Sequence, residues 1–197
     1  VSTQAGAAPQ KISIQKAIYR NPSFSSDGKQ IVFQKEGGSN VMGPGYTAKS
    51  GIYMMSANGD AETFITSRGA SPEFNAKGDR IYYQGGSTFS SCKLDGSDDK
   101  QHLKSTYGSQ FTISPDEKWV AFIDLHKAFI AAFPQTGKTI DVGSGTTDFP
   151  VKQVAKDAGF NLHWSGDGKQ LHYTLGSQYF TINLDERFEF VANKPDS

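Results

Sequence analysis

A single cysteine, Cys92, stands in 197 residues. No internal disulfide can form, so disulfide scaffolds, thioredoxin-like cysteine pairs and cysteine-based zinc modules are all excluded. Charge of either sign is not in excess: 20 Lys and Arg offset 20 Asp and Glu. A chain without a basic surplus has little to offer a phosphate backbone or an anionic membrane, so neither nucleic acid nor membrane is expected as a partner. No apolar run approaches the ~18–20 residues of a membrane-spanning helix. Helical periodicity is nearly missing too; only 152–158 could form a turn or two, and Val151 and Val154 suit a strand equally well. The chain starts at Val1 with no Met, basic n-region or apolar h-region, as expected of a mature form or a segment of something longer.

What the sequence does have is repetition. Pro22-Ser23-Phe24-Ser25-Ser26-Asp27-Gly28-Lys29-Gln30-Ile31-Val32-Phe33 recurs at Pro72 to Tyr83, at Phe111 to Phe122 and at Leu162 to Tyr173. The bulky anchors Phe24, Phe74, Ile113 and Trp164 are 50, 39 and 51 residues apart. A period of ~40–50 residues with alternating apolar positions is that of a propeller blade. Each copy reads as a hairpin: the Asp bonds backbone N–H groups ahead of it, the Gly accepts φ > 0, and the next strand opens on an apolar alternation. Lys77 and Glu117 stand where Asp and Gly are expected, so those two turns should be less regular. The four anchors should be buried at equivalent places.

A second half-repeat follows each hairpin: Gly51 to Gly59, Phe89 to Gly96, Phe129 to Gly137 and Tyr179 to Asp185. Fourth strands are expected at 62–66, 101–105 and 138–142. The fold class is therefore all-β, a propeller segment of about four four-stranded blades, either part of a larger propeller or a small ring. The blades are expected at about 18–67, 68–106, 107–158 and 159–188. Residues 1–17 would be an extension or a strand of a neighbouring blade, and 189–197 a C-terminal linker.

Phe24-Ser25-Ser26-Asp27-Gly28-Lys29 followed by Ile52-Tyr53-Met54 and Ala57-Asn58-Gly59 resembles the TolB-type propeller repeat, which prolyl oligopeptidase-type propellers also share. Tyr46 to Asn58, and Pro134 to Leu184 with Pro150-Val151-Lys152 and His163-Trp164-Ser165, are similar to the propellers that precede the catalytic domain of bacterial amidohydrolases. The resemblance implies a periplasmic or secreted parent protein with a metal-dependent hydrolase barrel. The remaining blades and that domain, or another protein, would be the partners.

No catalytic constellation stands out. Gly137-Lys138-Thr139 has Ala132 where a phosphate-binding loop needs Gly, and reads as a turn. Asp95-Gly96-Ser97-Asp98-Asp99 has Lys100 where a calcium loop needs Gly. His102, His126, His163 and His172 show no ligand spacing, although His163 and His172 flank one hairpin; no metal ligand and no cofactor is expected. There is no Gly-x-Ser-x-Gly elbow. Gly143-Ser144-Gly145-Thr146-Thr147 reads as a loop, and Cys92 as a buried, inert thiol. Two features keep functional interest. The 17-residue stretch from Gln34 to Ser50 carries Val41, Met42 and Tyr46, candidates for contact with a partner. The starts of the first strands place Arg20, Asn21, Arg68 with Ser71, Tyr107, Gln110, Asn161 and His163 as ligand or channel-rim candidates.

The expectation is a non-catalytic scaffold or interaction module, part of a larger secreted amidohydrolase. The alternatives are a small propeller binding a saccharide or other small ligand, and the propeller of a prolyl oligopeptidase-type peptidase. This segment is expected to be no enzyme in itself.

Overall fold

The computed structural model describes residues 8, 10–13, 15–38, 49–133 and 135–184. These form strands β1 (Ile18–Phe24), β2 (Gln30–Glu36), β3 (Gly51–Ser56), β4 (Thr63–Thr66), β5 (Ala70–Phe74), β6 (Arg80–Gly85), β7 (Thr88–Lys93) and β8 (Lys100–Lys104). They continue with β9 (Gly108–Ile113), β10 (Trp119–Asp124), β11 (Lys127–Ala132), β12 (Ile140–Asp141), β13 (Val151–Ala158), β14 (Phe160–Trp164), β15 (Gln170–Leu175) and β16 (Gln178–Asn183). No helix occurs among the described residues, so none there is long and apolar enough to cross a membrane. The sheets run β1-β2-β3-β4, then β5-β6-β7-β8 with β12 outside β8, then β9-β10-β11-β13, and last β14-β15-β16. The protein is all-β, with its sheets in a four-bladed propeller arrangement.

The repeated turn explains itself atom by atom. Ser25 Oγ donates to Asp27 Oδ1 at 2.7 Å, and the Lys29 amide donates to the same oxygen at 3.0 Å. The Gln30 amide returns to Ser25 Oγ at 2.9 Å, and Gly28 takes φ 69°. Ser165, Asp167 and Lys169 repeat this arrangement, as do Ser114, Asp116 and Lys118. The second copy is closed differently, and the third keeps the bonds without the glycine. Asn75 replaces the serine, and its Oδ1 accepts both the Asp79 and the Arg80 amides at 3.0 Å. Glu117 simply adopts the left-handed φ of 56° that glycine takes elsewhere, a conformation that costs a non-glycine residue about 1 kcal/mol.

The chain divides into two compact units, residues 1–85 with 91–99, and residues 86–90 with 100–197. In the first, Val32, Ile52 and Ile65 of the first sheet bury against Ile81, Tyr83 and Cys92 of the next, and Phe74 packs on this cluster. The opposite face of the first sheet gathers Ile31, Phe33, Tyr53 and Met55 beneath Ile12 and Tyr19. Lys35 is inserted there with its side chain 2% exposed and pairs with Glu62, itself 5% exposed. Gln15 Oε1 accepts from Lys35 at 2.5 Å, Tyr19 donates to Glu62 at 2.5 Å, and the ammonium lies 4.7 Å from the Tyr53 ring centre. A buried ion pair is tolerable only when its remaining polar positions are filled in this way. Burial and then Glu62 push the Tyr19 phenol well above its usual pKa.

In the second unit Phe89, Phe111, Phe122 and Phe129 form a ladder of stacked rings with centres 5.7, 5.5 and 5.6 Å apart. The other face of that third sheet supplies Ala121, Ala128, Ile130, Val154 and Ala155 to a cluster with Leu171, Tyr173, Ile182 and Leu184 of the last sheet. Trp164 packs on this cluster and its Nε1–H donates to the Thr112 carbonyl at 3.2 Å.

Two expectations fail for physical reasons. Phe24 is 52% exposed, whereas Ile113 is 7% exposed. Phe74 and Trp164 sit on the face of their sheet that meets the preceding one of the same unit, and the first sheet has none before it among the described residues. The segment expected as the third blade's fourth strand also goes elsewhere. Ile140 and Asp141 pair in parallel with Leu103 and Lys104 of β8, reinforced by Val142 N donating to Lys104 O at 2.8 Å. The fourth position of the third sheet is taken by β13, antiparallel to β11. An alternation of apolar residues fixes which face of a strand is buried but not which neighbour it joins.

Candidate functional site

Each first strand carries one irregularity at the same repeat position. The register shifts between Arg20 and Ser23, between Ala70 and Glu73, opposite Ala121 and Ile123 in β9, and between Phe160 and His163. At each bulge a non-glycine residue is left-handed: Asn21 (φ 49°), Ser71 (φ 49°), Gln110 (φ 50°) and Asn161 (φ 55°). Strain repeated this way is held by surrounding contacts, and the contacts are visible. Asn21 Nδ2 donates to Ser71 Oγ at 3.0 Å. In the second unit the Asn161 amide donates to Gln110 Oε1 at 2.8 Å, and Asn161 Nδ2 to Thr174 Oγ1 at 2.8 Å. Four candidates thus form two linked pairs that stitch adjacent first strands.

The other candidates are dispersed. Arg20 pairs with Glu36 at 3.1 Å. Arg68 reaches Asp99 at 3.1 Å, and Tyr83 donates to the other oxygen of that carboxylate. Asp98 pairs with Arg80, and Asp95 accepts from Ser97, so the acids of that turn are engaged in holding it. Tyr107 is 64% exposed. Val41, Met42 and Tyr46 lie outside the described residues. Cys92 is fully buried, and burial, then Asp99, pushes its thiol up to about 11.

The second unit holds a site that none of these candidates marks. A cleft of about 880 Å³ is lined by the segment from Thr136 to Phe149 together with Thr106, and presents Lys138, Thr139, Asp141, Thr146, Asp148 and Phe149. Behind two of these lining residues, Thr106 and Gly143, Asp124 ends β10 and Ser105 follows β8. Their side chains are almost fully buried, and Asp124 Oδ1 and Ser105 Oγ have no hydrogen-bond partner among the described residues. The Ser144 amide holds the other carboxylate oxygen at 2.7 Å. Gly143, a cleft residue, brings the two groups together: a Cβ there would lie 3.3 Å from Asp124 Oδ2 and 3.8 Å from Ser105 Oγ. An unpaired buried carboxylate oxygen costs several kcal/mol unless something donates to it. A lone Asp closing a strand reads in sequence as a turn residue, which is why no motif signals it.

A third cluster lies on the last sheet. His163 faces His172 across β14 and β15, and Thr174 faces Tyr179 across β15 and β16. Burial, then the neighbouring His163, lowers the pKa of His172.

No protein-family model and no curated protein matches the chain. Solved structures do. A putative TolB from Agrobacterium tumefaciens superposes with a TM-score of 0.60 at 16% identity, over 86% of this chain and 59% of the other. The fold is that of a TolB-like propeller. A gluconolactonase from Xanthomonas campestris superposes with a TM-score of 0.60 at 11% identity, over 93% of this chain and 60% of its own. The chain thus spans about three fifths of the length of either structure. Neither is described as an amidohydrolase, so that part of the resemblance finds no support here. The expectation that this segment is no enzyme is corrected by the second structure: a propeller of similar fold serves an enzyme, so the lack of a familiar motif does not exclude catalysis.

Proposed function

We propose that this TolB-like propeller binds a small polyhydroxylated ligand, of the saccharide, sugar-acid or sugar-lactone class, in the cleft of the second unit. The observation that carries this reading is a pair of buried polar atoms without a partner among the described residues, Asp124 Oδ1 and Ser105 Oγ, just behind the Thr106 and Gly143 wall of a cleft rich in hydroxyl groups. Sugar hydroxyls donate and accept at once, which suits a carboxylate beside threonines, and Phe149 offers an apolar surface for a ring face. The cleft volume of about 880 Å³ falls within the range of small-molecule sites. The gluconolactonase of similar fold makes a sugar lactone a natural member of the panel to test.

Calorimetric titration of the chain with neutral sugars, aldonic acids and aldonolactones tests this, with lactone opening followed in parallel. Saturable binding is expected for at least one of them. Asp124→Asn should weaken it by about tenfold or more, the loss of a charged hydrogen bond, while the melting temperature holds. Absence of saturable binding, or binding indifferent to Asp124→Asn, overturns the reading.

A second reading rests on a different observation. Phe24 is 52% exposed, and a cavity of about 280 Å³ lies among Lys11, Ile12, Tyr19, Pro22, Ile31, Phe33 and Met55 on the same apolar face. This favours an interaction module whose first blade packs against a further blade or an accompanying domain of a longer, periplasmic or secreted parent. An amidohydrolase domain is the candidate that the sequence resemblance supplies.

A further inference from the structure

The polar face of the last sheet carries a cluster that the ligand-binding cleft does not use. His163 pairs directly with His172 across β14 and β15, and cross-strand partners share a face with Cβ atoms ~5 Å apart. Thr181, facing His172, and Tyr179, facing Thr174, extend that face onto β16. The three rings form a compact triangle, with centres 5.1 Å (His163–His172), 5.8 Å (His163–Tyr179) and 5.4 Å (His172–Tyr179) apart. The opposite face, with Leu171, Tyr173 and Ile182, is buried in the core cluster, so the triangle is not a packing requirement.

The hydrogen bonds determine which nitrogen is presented. His163 Nδ1 lies 3.0 Å from the Asn161 carbonyl oxygen, which can only accept, so the ring proton sits on Nδ1 and Nε2 carries the lone pair. Tyr179 Oη lies 3.0 Å from that Nε2, and its hydroxyl therefore donates to it. His172 Nδ1 is 2.9 Å from Thr181 Oγ1, a hydroxyl able to accept in the same way and leave Nε2 as the lone-pair nitrogen. Histidines that bind metals are held in this manner, one nitrogen tied to a carbonyl or hydroxyl and the other directed at the ion. Two imidazoles on one tetrahedral ion, with M–N near 2.0–2.1 Å, have ring centres about 5 Å apart. The observed 5.1 Å meets that requirement.

We propose that His163, His172 and Tyr179 form a binding site for a divalent transition-metal ion that prefers imidazole, with copper(II) held most tightly. The ion takes the place of the proton shared between Tyr179 Oη and His163 Nε2. The phenolic proton leaves to solvent, and the two Nε2 atoms and the phenolate oxygen become three ligands, with further positions open to water. Three side chains from adjacent strands of one sheet supply the set.

Titration of the chain with copper(II) against a competing chelator tests the site. One ion per chain is expected, with a visible tyrosinate-to-copper charge-transfer band. His163→Gln and His172→Gln should each lower affinity on the order of tenfold or more, with unchanged circular dichroism. Tyr179→Phe should abolish the band and keep the one-to-one stoichiometry, whereas His102→Gln and His126→Gln should behave as the parent. Equal copper affinity in the His163→Gln/His172→Gln double variant, or one-to-one binding without the band in the parent chain, overturns the proposal.

Discussion

At Asp27 and Asp167 one carboxylate oxygen accepts both a serine hydroxyl and a backbone amide, and these bonds hold each carboxyl below its usual pKa. At Asp116 burial works against the charge, but Ser114 and the Lys118 amide outweigh it, and the shift is again downward. A folded-state pKa below the unfolded one means that the contribution to stability is complete above the unfolded value of ~3.9. It is lost as pH falls through the folded value. The melting temperature should therefore be level from about pH 7 to pH 5 and fall below about pH 4. The Asp27→Asn/Asp167→Asn variant should melt lower at neutral pH and decline less steeply in acid, and a decline as steep as the parent's would show that other carboxylates govern it. These turn residues were legible in the sequence because each hydrogen bond spans only two to five positions. Asp124 and Ser105 were not: they are brought together by β8, β10 and the loop at Gly143, and no local spacing records that.

Among the elements, the hairpins and their anchors were legible, and the exceptions are instructive. Trp164 and Phe74 each bury against the sheet before their own, while Phe24 has no such neighbour among the described residues. Trp164→Ala should cost about 3 kcal/mol or more, whereas Phe24→Ala should stay within about 0.5–1 kcal/mol, as for an exposed position. Urea midpoints of the two variants decide this; similar losses would mean that Phe24 is covered in solution. The parallel pairing of β12 with β8 could not be read beforehand. Ile140 and Val142 form an apolar pair that satisfies a strand edge of either direction, and the choice is made by contacts to Leu103, Lys104 and Gln101 that lie about 38 residues earlier in the chain. The bulges were partly legible. Asn21, Ser71, Gln110 and Asn161 were recognisable as a polar series, but their left-handed backbone and their linkage in pairs emerge only when neighbouring first strands meet.

On the scale of the molecule, the repeat period carried the fold: a TolB-like propeller arrangement follows from four repeated hairpins, two of them with the full Ser-x-Asp-Gly turn, and the strands after them. Function was far less legible, since a propeller uses the same repeats whether it binds, docks or serves catalysis, and one solved structure of similar fold is that of a gluconolactonase. What distinguishes this chain is chemical and local: one buried carboxylate oxygen and one buried hydroxyl without a partner among the described residues, just behind a hydroxyl-rich cleft. The most direct measurement is a crystal structure of the chain with its tightest-binding sugar, sugar acid or lactone. A ligand hydroxyl is expected within hydrogen-bond distance of Asp124 Oδ1 and Ser105 Oγ, with the ring against Phe149. A ligand seated elsewhere, with both of these atoms satisfied by the protein itself, would contradict it.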